Sequence, residues 1–346
     1  MEPHFTSNTG LGTLFHAGMA FLRGMYTRGV ISCVILLAVV FAPPNVGAQA
    51  YPTRPITIVN GFPAGGQSDT VARVVASGLA ERLGQRVLVD PITGAGGNIA
   101  ADRVAKARPD GYTLLLVTGG HAVAGALFKS LPYDPVNDFQ MISTFIFVSF
   151  VITVRNDSPF KTLTDVIAAA KASPGNIKYS STGVGTTPHL IGELLASRAG
   201  VQMTHVPYRG GSTALGDLMD GGIDLAIDSL TVSGPQIRSG KIKAFVVPSL
   251  AAVPSLPGIA PVSATLPGFD VVTYHGIAAP KGTPQEVIDR LNREIQLVLQ
   301  MPLVRERLEA IGGVIQGSSP EEMQSRVASD VAKWSKVVTD AKIPQM

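Results

Sequence analysis

The chain of 346 residues has one cysteine, Cys33, and that residue lies within the first fifty. The rest therefore has no thiol nucleophile, no disulfide and no cysteine metal ligand. Charge is also sparse: 15% of residues are charged and the formal net charge is +3. That near-neutral balance lacks the basic footprint of a nucleic-acid partner. Beyond the first fifty residues the histidines are His121, His189, His205 and His275, none at close metal-ligand spacing. No metal site is expected, and no motif calls for a cofactor. There is no G-x-S-x-G elbow, and no nucleophile stands beside a base in the sequence. These absences argue against an enzyme. The four histidines read as hydrogen-bonded structural groups, with His189 the one placed to face a ligand.

The N-terminus carries Arg23 and Arg28, then the apolar run Val30 to Ala42, then Ala48-Gln49-Ala50. That order is a signal peptide with an A-x-A cleavage site. The apolar run, about 13 residues, is short of the roughly 20 needed to span a bilayer. Residues 1–50 are read as a leader, Tyr51 as the first mature residue, and the periplasm as the destination. Translation starting at Met19 or Met25 would give a leader of ordinary length.

Past Tyr51, predicted strands and helices alternate, which marks an α/β protein with largely parallel sheets. Length predicts two domains. Strands are expected at 56–60, 87–90, 113–117, 145–154, 178–181, 225–228, 243–248 and 271–278, with another ending at His205-Val206-Pro207-Tyr208. Helices are expected at 69–83, 163–172, 188–199, 212–220, 284–300, 303–311 and from Pro320 to about 341. Asn98 reads as the N-cap of a helix to Ala107, and 254–268 as a Pro-rich loop. Val71, Val74, Val75 and Leu79 have helical spacing.

Glycine-rich turns at strand-to-helix junctions carry the functional signal. The first is Pro63-Ala64-Gly65-Gly66-Gln67-Ser68, preceded by Phe62. Backbone N–H groups at a helix start are unpaired, and the helix dipole adds partial positive charge there. Such a turn binds a small anion without Lys or Arg. The loop Ser181-Thr182-Gly183-Val184-Gly185-Thr186-Thr187 repeats the design before His189. The two loops are expected to face each other across a cleft. A further loop, Gly94-Ala95-Gly96-Gly97, fails as a dinucleotide fingerprint because Ile99 holds the third glycine position. Asp228 ends a strand, where it could accept a hydrogen bond from a ligand or cap the next helix. Tyr208 and Tyr274, like Phe62, are aromatics at strand ends suited to a ligand's carbon body. Asp69 and Arg73, four residues apart, read as an ion pair on the helix surface.

In order and spacing these pieces resemble the periplasmic solute-binding receptors of the tripartite tricarboxylate transporter family, also called Bug receptors. The matching segments include Tyr51-Pro52-Thr53-Arg54-Pro55-Ile56, Pro63-Ala64-Gly65-Gly66, Arg108-Pro109-Asp110-Gly111-Tyr112-Thr113, Gly183-Val184-Gly185-Thr186 and His205-Val206-Pro207-Tyr208-Arg209-Gly210. The resemblance implies a two-lobed periplasmic-binding-protein fold of type II, a Venus flytrap with the ligand between lobes. Lobe 1 would be 51–147 plus 273–346, and lobe 2 would be 148–272. It implies a carboxylate held by Pro63–Ser68 and Gly183–Thr187, in a monomer that delivers it to membrane permease subunits. The ligand would be a di- or tricarboxylate, an acidic amino acid or an aromatic acid. A ligand sensor partnered with a membrane signalling protein, and an exported hydrolase, are the alternative functions. Tyr274 stands where the family often has Trp, and Ala64, Gln67 and Ser68 also depart from its frequent residues.

Overall fold

The structure, a computed structural model, describes residues 51–250, 253 and 256–346, together with Met1. The signal-peptide reading, with Cys33 and both alternative starts, lies outside the described residues.

The chain opens with β1 (Ile56–Asn60), α1 (Gln67–Leu83), β2 (Val87–Pro91), α2 (Asn98–Ala105), β3 (Thr113–Thr118) and α3 (Gly119–Leu127). A 17-residue strand, β4 (Phe139–Arg155), leads into α4 (Leu163–Ala172), β5 (Lys178–Ser181) and α5 (Thr187–Ala199). Then come β6 (Thr204–Pro207), α6 (Gly211–Asp220), β7 (Ala226–Ser229), α7 (Leu230–Arg238) and β8 (Ile242–Val246). The chain ends with β9 (Val272–Pro280), α8 (Gln285–Val298), α9 (Pro302–Glu309), β10 (Val314–Ile315) and α10 (Pro320–Asp340).

The first half of the main sheet runs β10-β4-β9-β3-β1-β2. Alternation along its strands sends side chains to two cores. Ile56 and Ile58 of β1, with Leu114 and Leu116 of β3, meet Val71, Val75 and Leu79 of α1 and Leu291 and Ile295 of α8. The opposite face packs Val59, Leu115 and Val117 against Ala101 and Val104 of α2 and Met323 and Val327 of α10. A period of two in the strands and 3.6 in the helices is what lets one sheet bury both faces. Gly84 closes α1 in the left-handed region, at φ 64°, where its N–H reaches the Ala80 carbonyl.

Strand β4 joins the halves. Its residues Phe139–Ser149 pair with β9, while Phe150–Thr153 pair with β7 and Ile152–Arg155 with β8. The second half adds β5 paired with β6. Its core gathers Phe150, Ile152 and Val154 of β4, Tyr179, and Leu190, Ile191 and Leu194 of α5. Ala122, Val123 and Ala126 of α3, and Trp334 and Val338 of α10, belong to this same core. Helix α10 thus buries its first turns in one half and its last turns in the other.

Several expectations need correction. The sheets are mixed rather than largely parallel: β1 pairs in parallel with β2 and β3, whereas β9 and β4 pair antiparallel with their neighbours. Returning strands cross between the halves and so run against the βα units. Strand β4 begins at Phe139, six residues before the sequence reading. Helix α3 was not anticipated, because nearly all its residues, Gly119 to Leu127, are buried and no polar face marks a helical period. Asn98 is not an N-cap: Gly97 holds that position, and the Asn98 side chain accepts a hydrogen bond from the Tyr133 hydroxyl at 2.8 Å. The loop around 254–268 contains a short 3₁₀ turn, Val262–Ala264.

Candidate functional site

A cavity of about 320 Å³ opens where loops of both halves converge. Five helices start on it. The N-cap residues Gly66 (α1), Thr118 (α3), Thr186 (α5), Gly210 (α6) and Ser229 (α7) all line its wall. In none of the five does the N-cap side chain bond the first turn, and in α3 the Gly119 N–H is taken instead by Thr273 Oγ1 at 3.1 Å. By contrast α4 and α10, away from the cavity, carry full capping boxes from Thr162 and Ser319. Uncapped N–H groups retain their hydrogen-bonding capacity, and each helix dipole favours negative charge by about 0.3–1 kcal/mol. Arg209, on an exposed stretch of loop, is the one cationic side chain in the lining.

The first glycine loop is braced from behind. Asp69, buried in α1, accepts from the Gly65 N–H at 3.0 Å and from Arg73 Nε at 2.8 Å. The expected ion pair is present, and its acidic partner also ties down the loop. Beneath it Asn60, fully buried, bonds both the N–H and the carbonyl of Phe62. In the loop 181–187 the hydroxyls turn inward. Thr186 Oγ1 donates to the Gly183 carbonyl at 2.7 Å, and Ser181 Oγ accepts from the Gly183 N–H at 3.1 Å. Those hydroxyls shape the loop, and its main chain and Thr187 are left to meet the cavity.

Behind the loop 181–187 lies a stack of rings. His189 stacks on His205 with centroids 4.1 Å apart, and His205 stacks on Tyr179. His189 Nδ1 accepts from the Gly185 N–H at 3.3 Å, and His205 Nε2 lies 2.6 Å from Ser181 Oγ. Burial lowers the pKa of both rings, that of His205 to about 4, so both are neutral at pH 7. The Tyr179 hydroxyl donates to Glu193 Oε1 at 2.5 Å. His189 therefore supports the loop and does not line the cavity.

Of the residues expected at the site, Phe62, Ala64, Gly65, Gly66, Gln67, Ser68, Thr186, Thr187 and Asp228 line this one cavity. Gly183 and Tyr208 line an adjoining one that shares Phe62 and Pro63. The Tyr208 hydroxyl donates to Asp217 at 2.6 Å. Gly185, within the loop, and His189, behind it, do not line the cavity. Tyr274 is buried in the core beside Phe147, on the far face of β9. Its neighbours Thr273 and His275 reach the cavity instead. Side chains alternate along a strand, so choosing Tyr274 as the facing residue excluded the two that do face it. Asp228 is not a helix cap: Ser229 is, and Asp228 Oδ1 accepts the Ser229 N–H at 2.6 Å.

Four buried polar atoms in the cavity's lining residues have no hydrogen-bond partner in the protein: Gln67 Nε2, Asp228 Oδ2, Ser229 Oγ and His275 Nδ1. Buried polar atoms are nearly always paired, so these four retain hydrogen-bonding capacity that the protein itself does not use. Burial raises the Asp228 carboxyl to about 6 and lowers His275 to about 4. Among the described residues, no group of three or more His, Cys, Asp or Glu could hold a metal ion.

A cleft lined by helix starts, between two sheet halves that share a strand, defines a two-lobed binding protein. The chain matches the family described as "Tripartite tricarboxylate transporter family receptor" over residues 71–343, and it belongs to that family of solute-binding receptors. It is 39% identical over 324 residues to the "UPF0065 protein in tcbD-tcbE intergenic region" of Pseudomonas sp. (strain P51), covering 93% of this chain and 96% of the relative. It is 35% identical over 320 residues to "Protein BugT" of Bordetella pertussis, covering 91% and 97%. Among solved structures, "periplasmic binding protein BugD" is similar at 35% identity and a TM-score of 0.80, covering 86% of this chain and all of that one. "R. palustris Rpa4515 with adipate" is similar at 34% and 0.81, with the same coverage. "MatC (Rpa3494) from Rhodopseudomonas palustris with bound malate" is similar at 33% and 0.79, covering 83% of this chain and all of that one.

Proposed function

We propose that this receptor captures a small organic carboxylate in the periplasm and delivers it to the membrane subunits of a tripartite transporter. The observation that carries this reading is the convergence of five helix starts on one cavity, four of them with no side chain bonding the first turn. Oriented main-chain donors satisfy a carboxylate's lone pairs without a fixed counter-charge. Two similar solved structures are of Rpa4515 with adipate and of MatC with bound malate. Ligand specificity then rests with the few side chains at the other end of the cavity.

Closure follows the lobes 51–147 plus 273–346 and 148–272. The change of β4's partners at Ser149 and Phe150 supports a hinge there. Selective binding by the closed form would draw the lobes together.

Thermal stability against a panel of carboxylates tests the reading. A ligand at 100 times its Kd stabilises by about 2.7 kcal/mol, a shift of several degrees. A shift produced by an acid and absent for its amide and ester supports it. Equal shifts for acid and amide would refute it.

A further inference from the structure

Asp228 is out of place in a cavity built for anions. It stands at the end of β7 with its side chain buried, and it lines the cavity wall. One oxygen, Oδ1, is taken by the Ser229 N–H. The other, Oδ2, has no protein partner at hydrogen-bond geometry, the nearby Ser229 hydroxyl only moderating the rise that burial gives the carboxyl's pKa. Among the described residues Asp228 is in no ion pair. The space for its Oδ2 is made by Gly211: a Cβ there would lie 1.3 Å from that oxygen. The unpartnered Ser229 Oγ and Gln67 Nε2 belong to residues of the same lining.

A buried carboxylate with an unsatisfied oxygen is costly, and an anionic ligand beside it adds like-charge repulsion. Both are relieved if the ligand brings a donor to that oxygen. We propose that Asp228 is a specificity-determining residue whose free Oδ2 accepts a hydrogen bond from a hydroxyl or amino group on the ligand, separate from the gripped carboxylate. The ligand is then a hydroxy- or amino-substituted acid rather than a plain one. This rests on the carboxylate-receptor reading and narrows it.

The test compares three series that differ only in that group. They are succinate, L-malate and L-aspartate; adipate, 2-hydroxyadipate and 2-aminoadipate; and benzoate, salicylate and anthranilate. Dissociation constants are measured by calorimetry on the ligand-free protein at pH 7.5. In at least one series a substituted acid should bind tenfold or more tighter than its parent. Whether the hydroxy or the amino member leads identifies the donor. Asp228→Asn keeps an oxygen for the Ser229 N–H and puts an NH₂ where Oδ2 was. It should cut that ratio to about two or below. If Asp228→Asn does not give a cooperative melt, Gly211→Ala, which drives a methyl into the Oδ2 position, should lower the same ratio. A parent acid that binds as tightly as its derivatives in every series overturns the proposal and leaves the receptor reading standing. So does a ratio unchanged in the variants. Failure of every acid to bind refutes the receptor reading, and the proposal with it.

Discussion

The same carboxyl group gives a sharp prediction about stability without ligand. Burial raises the folded pKa of Asp228 to about 6 from an ordinary 3.8. The folded protein therefore holds a proton that the unfolded chain has released between those values. Folding stability from this group falls as pH rises through that window and is fully lost above it. A rise of about two pKa units at about 1.4 kcal/mol each comes to roughly 3 kcal/mol. Asp228→Asn removes that penalty. It weakens the bond from the Ser229 N–H, now to a neutral oxygen, by about 1 kcal/mol. The variant should thus be more stable than the parent by about 2 kcal/mol at pH 8, and equal or weaker at pH 4. Urea melts of ligand-free protein at both pH values measure it. Equal stability at pH 8 would show that Asp228 is solvated or paired in the folded state, and the reasoning would fail.

Three further outcomes are expected. Gly96 has φ 67°, and a Cβ there would stand 2.5 Å from the Val184 carbonyl oxygen of the facing loop. Gly96→Ala should weaken ligand binding at least tenfold, and X-ray scattering should show the liganded variant more extended than the parent. The buried Tyr274 hydroxyl has no hydrogen-bond partner, so Tyr274→Phe should alter stability by less than about 1 kcal/mol and leave ligand affinity unchanged by calorimetry. Burial lowers His121, His205 and His275 each to about 4. The unfolded chain binds those protons first, so stability should drop as pH falls from about 6.5 to 4, by roughly 3 kcal/mol for each of the fully buried rings His121 and His275 and by less for the partly exposed His205, whose charge water screens. Denaturant melts across that range check the slope.

Much of this was legible before the structure. The loop Pro63–Ser68 lines the cavity because a strand, two glycines and an amphipathic helix leave the backbone few other arrangements. The helix carrying Val71, Val75 and Leu79 was equally clear, since its buried and exposed faces differ. What escaped had a common physical cause. Helix α3 shows no periodicity because it is buried on nearly every side. The facing residues of β9 were misplaced by one, and one position on a strand exchanges Tyr274 for Thr273 and His275. The direction of β9 and β4 depends on pairing across more than a hundred residues, as Phe139 with Pro280 shows, and local pattern does not encode that.

The proposed carboxylate grip, made of peptide N–H groups, has a consequence for how such a receptor diversifies. Point mutation exchanges side chains, but it leaves the amide in place unless the new residue is proline. On the proposed reading, the part of the cavity that recognises an acid is thereby shielded from most single substitutions. The part proposed to decide among acids, with Asp228 in it, is open to every one of them. New nutrients can be sampled at the variable end without putting the common hold at risk.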